Sequence, residues 1–334
     1  MAASPVKTDH VVPKADRRLG ISVGPGKDGN YGEAFMTAKS AGMQSVTLSF
    51  DWSQLEPKAS QYDDTFPTVA NVFYPAQNCS IDLILRPINT NHIEMPPDLQ
   101  GKSFDSPEVI DRFERLIDHL YAKMPNVKID TLAIGNEVDG ELGANDALWR
   151  QYRTFYRAVS AHARKVRPGV QVGVVGTYNG MVGAPAEQFK TLNKTSDVIL
   201  VTYYPLHADF TVESAASPLH DFDQMTSLYR GRPIVMTEVG YPSAAACGSS
   251  EAAQASFIRS VFHAWDAHVH QIRAITFSWL TDMSPGSTAT YSHYYGVSTL
   301  AFGEFLRTLG LRTYSGEDKT SFLVLKAEAK KRGW

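Results

Sequence analysis

The sequence is short of the features that mark several large classes of protein. It has two cysteines, Cys79 and Cys247, in 334 residues, too few for a disulfide framework. No apolar run reaches the roughly 20 residues a membrane-spanning helix needs. Like charges never gather into a long block, and the net charge is -3, so nothing points to nucleic acid or an anionic membrane as a partner. The start, Met1-Ala2-Ala3-Ser4-Pro5, lacks a charged segment leading into an apolar one, so no secretory leader is visible. The compartment is left open: secreted or periplasmic if a leader has been removed, cytoplasmic otherwise. H-E-x-x-H and Cys/His ligand spacings are missing, so neither a metal nor a cofactor is expected. Low-complexity segments and linkers are missing too. The expectation is one domain over 19–334, preceded by an N-terminal extension, 1–18, and a chain that works as a monomer.

What the chain does have is apolar strand material. Hydrophobic residues make up 43% of it, as in an enzyme-sized globular protein. Strand candidates run from Leu19 to Gly24, Ser45 to Phe50, Ile81 to Leu85, Ile129 to Ile134, Val170 to Val175, Asp197 to Tyr203, Ile234 to Val239 and Ile272 to Trp279. Their nearly continuous apolar character is that of strands covered on both faces. Helical patterns fall between most of them. Tyr31 to Ala41 is closed by Gly42. Ser106 and Pro107 open a helix carrying Ile110, Phe113, Leu116, Ile117, Leu120 and Tyr121 on one face. Leu148 to Val166 and Glu251 to Val269 are further helices; Thr65 to Ala76 is weaker, since Pro67 and Pro75 lie inside it. Ala301 to Leu309 and Ser321 to Lys331 close the chain as helices. Eight strand–helix units predict a closed (β/α)8 TIM barrel.

An open doubly wound sheet is the competing architecture. Gly24-Pro25-Gly26-Lys27-Asp28-Gly29 matches G-x-G-x-x-G after the first strand, and Asp51 ends the second. Pro25, however, removes a backbone N–H from the turn that would cradle a pyrophosphate. In the barrel reading Cys79 lies near the start of strand three and Cys247 beyond the end of strand seven. A strand of five residues spans roughly 17 Å and a disulfide needs Cα atoms within about 7 Å, so both thiols are expected to be free.

Two apolar strands end in an acid. Ile134-Gly135-Asn136-Glu137 ends the fourth, and Met236-Thr237-Glu238-Val239-Gly240 the seventh. A TIM barrel puts its active site at the carboxyl ends of the strands, so Glu137 and Glu238 face one cleft. Two carboxyls so placed suit glycosidic hydrolysis, which needs one to protonate the leaving oxygen and another to attack or to activate water. Asn136 beside Glu137 can bond a sugar hydroxyl. Tyr204, ending strand six, can donate to Glu238 and hold it ionised. Trp279, ending strand eight, offers an apolar face for a pyranose, and Asp282 beyond it is a further cleft candidate. Asp139 is either a support for Glu137 or a helix-start residue. His92, His207 and His293 fall in top loops and read as rim residues. Met283 to Thr288 follows strand eight, where some barrels hold phosphate, but no clear helix start follows.

Gly135-Asn136-Glu137 together with Thr237-Glu238-x-Gly240-x-Pro242-Ser243 resembles the retaining β-glycosidases of glycoside hydrolase clan A. The resemblance implies a TIM barrel with Glu137 as acid/base and Glu238 as nucleophile. The Glu238 segment and Tyr204-Pro205 are similar to the β-1,3-glucanase family, whereas Trp52-Ser53-Gln54-Leu55-Glu56-Pro57 looks like the β-galactosidase and xylosidase branches and makes Trp52 a substrate-binding candidate. Several clan members carry an arginine near the end of strand two. This chain has none there, and Arg86 at the end of strand three is the replacement. The implied partner is an oligosaccharide or polysaccharide with β-linkages. A transglycosylase would use the same residues. A carbohydrate-binding barrel without catalysis is the rival from another class, but it gains nothing from two charges held close together.

Overall fold

The computed structural model describes residues 11–334; the first ten positions of the expected extension lie outside the described residues. Eight strands run parallel: β1 Arg18–Ile21, β2 Ser45–Asp51, β3 Ser80–Asn89, β4 Ile129–Asn136, β5 in two pieces, Gln171–Gly173 and Val175–Thr177, β6 Ile199–Tyr203, β7 Ile234–Val239 and β8 Ile272–Phe277. β1 pairs with both β2 and β8. The first piece of β5 pairs with β4 and the second with β6. The sheet therefore returns on itself as a barrel. The described residues form no open doubly wound sheet, and residues 24–29 are a turn leading to a helix capped by Asn30. A two-residue strand, His92–Ile93, folds back antiparallel on the end of β3.

Helices cover the outside: α1 Tyr31–Ser40, α2 Thr65–Ala76, α3 Pro107–Lys123, α4 Asp146–Val166, α5 Ala186–Leu192, α6 Pro218–Leu228, α7 Glu251–Ala267 and α8 Thr320–Arg332. α2 survives both prolines. Pro67 sits in the first turn, where an N–H has no helical acceptor anyway, and Pro75 is one residue from the end. Ser106 occupies the cap position of α3 but makes no side-chain cap bond. Near the end of the chain, Asp266 on α7 receives Arg17 at 2.8 Å and Arg332 at 2.7 Å, tying both sides of the barrel's closure to one helix.

The core has three parts. Leu83, Leu132, Ile199, Val201 and Met236 belong to the large layer between strands and helices. A small cluster, Ile84, Ala133, Val175, Val198, Leu200, Val235 and Ala274, fills the barrel interior. The strand positions alternate between these two clusters, as pleating requires. At the amino-terminal mouth Arg18 of β1 reaches Asp82 of β3 at 3.1 Å and Asp130 of β4 at 2.6 Å, closing that end with charge pairs. The third cluster lies over the opposite, carboxyl-terminal mouth. It joins Ala244 and Cys247, after β7, to Phe302, Phe305, Leu306 and Leu309. These last residues come from Leu300–Thr308 and its end, part of a helical pair with Pro285–Tyr295.

Ala186–Leu192 and Pro218–Leu228 are helices beyond those expected from the sequence, and Pro285–Tyr295 is one that hydrophobic periodicity does not reveal. Its Ser, Thr, Gly and Tyr residues make no apolar stripe, and only Thr288 is buried. Its start signal is nevertheless present: Ser284 accepts from the Ser287 N–H at 3.0 Å, with Pro285 in the first turn. Cys79 and Cys247 are free and buried, on opposite ends of the barrel.

Candidate active site

The mouth of the barrel is shaped by two departures from regular strand geometry. In β7 the register against β6 slips by one, so that Val201 faces Met236 while Thr202 faces Glu238. Without the slip Glu238 would share the outward side of Met236. The bulge at Thr237 turns it inward instead, a known use of bulges. At the end of β4, Gly135 has φ +90 and Glu137 has φ +45. A Cβ at Gly135 would run into the Tyr152 hydroxyl and Val138, so glycine is required there. A glutamate in the left-handed region is strained. The strain is held by the hydrogen bonds on either side, Thr90 N–H to Asn136 O at 2.9 Å and Gly140 N–H to Glu137 O at 2.9 Å.

Both carboxyls are half-buried and gripped by hydroxyls. Thr202 donates to Glu137 Oε1 at 2.6 Å and Thr90 to Glu137 Oε2 at 2.7 Å. Tyr204 donates to Glu238 Oε2 at 2.6 Å. Tyr203 is turned away, donating to Asp221 at 2.7 Å behind the sheet. Burial first, and then the nearby Glu137 charge, push the Glu238 carboxyl up to about 7; the Tyr204 bond and the Arg86 charge oppose this. Tyr204 therefore favours the ionised form, as expected, but does not win against burial and repulsion. Asp139 lies behind Glu137. It accepts from Thr177 N–H at 3.0 Å and Thr177 Oγ1 at 2.5 Å, and burial raises it to about 6.

The two glutamates lie in a cleft of about 550 Å³. One wall is polar, with Thr90, Asn91, Thr177 and Asn179; the other is apolar, with Trp279, Phe210 and residues of the third hydrophobic cluster. Among the described residues no group of three or more His, Cys, Asp or Glu could hold a metal ion, and no helix is long and apolar enough to cross a membrane.

Of the sequence candidates, Glu137, Glu238, Tyr204 and Trp279 all line this cleft. Asn136 and Arg86 lie just beneath it. Asn136 donates to Asn89 at 3.2 Å and keeps its Oδ1 without a partner. Arg86 pairs with Asp51, its neighbour in the ladder, at 2.6 Å, and so stands at the end of β2 although it belongs to β3. Trp52 must be corrected. It has 0% exposure, packs edge-on to Phe113 of α3, and donates to Glu56 at 2.9 Å; Glu56 also holds Arg112. Its Trp-x-x-x-Glu spacing builds a buried polar cluster behind β2 rather than a sugar platform. Asp282 must be corrected too. It pairs at 2.7 Å with the buried Lys319 ammonium, which also bonds Ser243 and the carbonyls of Thr308 and Gly310. That contact fastens the chain after β8 and leaves the cleft without it. Among the histidines, His207 lines the cleft, while the ring of His92 lies 4.2 Å from that of Tyr294. Thr90, Thr202 and Tyr295 went unnoticed in the sequence. For Thr202 a signal exists: it stands two before Tyr204, on the same face of β6.

No protein-family model matches the chain, and no curated protein matches it. Solved structures do. A GH5_18 variant from Streptomyces cattleya, in complex with Manb1-4GlcNAc, superposes with a TM-score of 0.73 at 14% identity, over 94% of this chain and 80% of that one. An exo-beta-1,4-mannosidase from Opitutaceae bacterium strain TAV5 gives 0.70 at 15% identity, over 95% and 59%. A family 39 glycoside hydrolase from the gut symbiont Bacteroides cellulosilyticus WH2 gives 0.62 at 14%, over 95% and 64%. The likeness is one of fold: an eight-stranded parallel barrel with helices outside.

Proposed function

We propose that the chain is a glycoside hydrolase that cleaves β-linked glycosides with retention of configuration, through a single catalytic barrel over 19–334. The observation that carries the reading is the pair of carboxyls at the ends of β4 and β7, Glu137 bonded by the hydroxyls of Thr90 and Thr202 and Glu238 by that of Tyr204. That structural neighbours are glycoside hydrolases supports it. Glu137 gives its proton to the glycosidic oxygen while Glu238 attacks the anomeric carbon, forming a glycosyl–enzyme; water then enters, with Glu137 as base.

The roles are those that the resemblance in sequence implies, acid/base on β4 and nucleophile on β7. At Glu238 the Tyr204 bond and the Arg86 charge favour the ionised, nucleophilic form against burial and the Glu137 charge. Asn136, with a free acceptor, and the Trp279 face are placed to receive the sugar.

The test is direct. A 2-deoxy-2-fluoro glycoside of the right sugar should label Glu238, found by peptide mapping, and NMR should show the β-anomer released first. Release of the α-anomer first would overturn the mechanism and both roles.

A further inference from the structure

We infer that the leaving group of the substrate is an apolar alcohol, an alkyl or aryl aglycone, rather than a second sugar; this rests on the glycosidase reading above. The cleft has two unlike walls. The polar one carries Thr90, Asn91, Thr177 and Asn179. The other is built by the segments after β6 and β8, with Leu206, Phe210, Trp279, Val297, Phe302 and Phe305. Those segments pack as a hydrophobic cluster of their own, separate from the barrel core.

Phe210 is held there at a backbone cost. Its φ is +65, uncommon for a bulky side chain. Its ring lies 4.7 Å from that of Phe302 and 5.9 Å from that of Phe305. Phe302 and Phe305 are buried, while Leu206, Phe210 and Val297 remain half-exposed. The surface these three leave uncovered borders the cleft. Polar side-chain atoms on this wall are confined to His207, the Trp279 indole and two phenols, of which Tyr204 is engaged by Glu238.

A sugar ring carries hydroxyls around its whole rim, and each one moved out of water needs a partner. The polar wall supplies them through Asn179 and the Asn91 side-chain oxygen, since the Thr90 and Thr177 hydroxyls already bond Glu137 and Asp139; the apolar wall cannot. The glycone therefore fits between the Trp279 face and the amides, and the group beyond the scissile oxygen fits against the half-exposed Leu206, Phe210 and Val297. The cleft volume, about 550 Å³, falls within the roughly 300–1,000 Å³ of sites for drug-sized ligands.

A panel of 4-nitrophenyl β-glycosides identifies the glycone. Methyl, butyl and octyl β-glycosides of that sugar are then compared with a disaccharide of the same glycone. kcat/KM should rise about two- to fourfold per methylene from methyl to butyl, as expected for burial of CH2 groups. Phe210→Ser should cut the octyl-to-methyl ratio by about tenfold and Val297→Asn by about threefold; both sites are half-exposed, and the ratio cancels any general loss of activity. A flat alkyl series, or a disaccharide cleaved better than the octyl glycoside, overturns the apolar aglycone and leaves the catalytic pair standing. Absence of any turnover and of any Glu238 label overturns the glycosidase reading, and this inference with it.

Discussion

The Thr202 hydroxyl on β6 donates to Oε1 of Glu137 on β4 at 2.6 Å, reaching across the end of β5. The same Thr202 stands opposite Glu238 in the β6–β7 ladder. One small side chain thus fixes one carboxyl while its backbone fixes the position of the other. Thr202→Val keeps the shape and removes the hydroxyl. A hydrogen bond to a charged group is worth about 1.5–3 kcal/mol, roughly ten- to a hundredfold in rate. The loss in kcat should concentrate on glycosides with poor leaving groups, which need the acid. Equal losses on alkyl and dinitrophenyl glycosides would show that Thr202 does not orient the proton donor.

Tyr204→Phe should lower kcat by a similar factor, about ten- to a hundredfold, and leave the fold intact. It should also move the pH profile. The Tyr204 bond lowers the Glu238 pKa, so its loss raises that pKa further and shifts the acid limb of kcat/KM to higher pH. An unchanged kcat and profile would remove Tyr204 from the reaction.

The wild-type kcat/KM should rise towards about pH 7, where the Glu238 nucleophile ionises. In Glu137→Ala the repelling charge is gone and the Glu238 pKa drops. With a dinitrophenyl glycoside the acid limb should then move to lower pH, and azide should restore turnover and give the β-glycosyl azide. An acid limb that stays near pH 7 in the variant would assign that limb to another group.

Asp139→Asn tests the half-buried acid behind Glu137. Its folded value, about 6, exceeds the 3.8 of the free group because burial outweighs the Thr177 bonds. A raised carboxyl contributes stability that is full below the unfolded value and is lost as pH rises through the folded one. The variant lacks this dependence. Its melting temperature should gain on that of the wild type between pH 4 and pH 7, by the equivalent of about 2 kcal/mol. Parallel curves in calorimetry would show that Asp139 is not raised.

The thiols give a check on the barrel's two ends. Burial pushes both Cys79 and Cys247 up to about 11. A thiol reagent at neutral pH should find none in the native protein and two after unfolding without reductant. Fewer than two in denaturant would mean that they are paired.

Strand identity and strand ends were legible because burial on both faces leaves a local trace, an unbroken apolar run, and an acid closing such a run stands out. Glu137, Glu238 and the donor Tyr204 could be named on that basis. Pattern matching misled at Trp52 and Asp282, whose partners, Glu56 and Lys319, satisfy them away from the cleft. Nothing local announces that Thr90 and Thr202, 112 positions apart in number, grip the same carboxylate. Nor does it announce that a bulge at Thr237 turns Glu238 inward, or that a serine- and tyrosine-rich stretch becomes a helix beside the apolar wall. Periodicity records whether a residue is covered. Which side chains meet at the barrel mouth depends on ladder register and on how the loops pack over it, and these are decided only when strands distant in sequence close into one sheet.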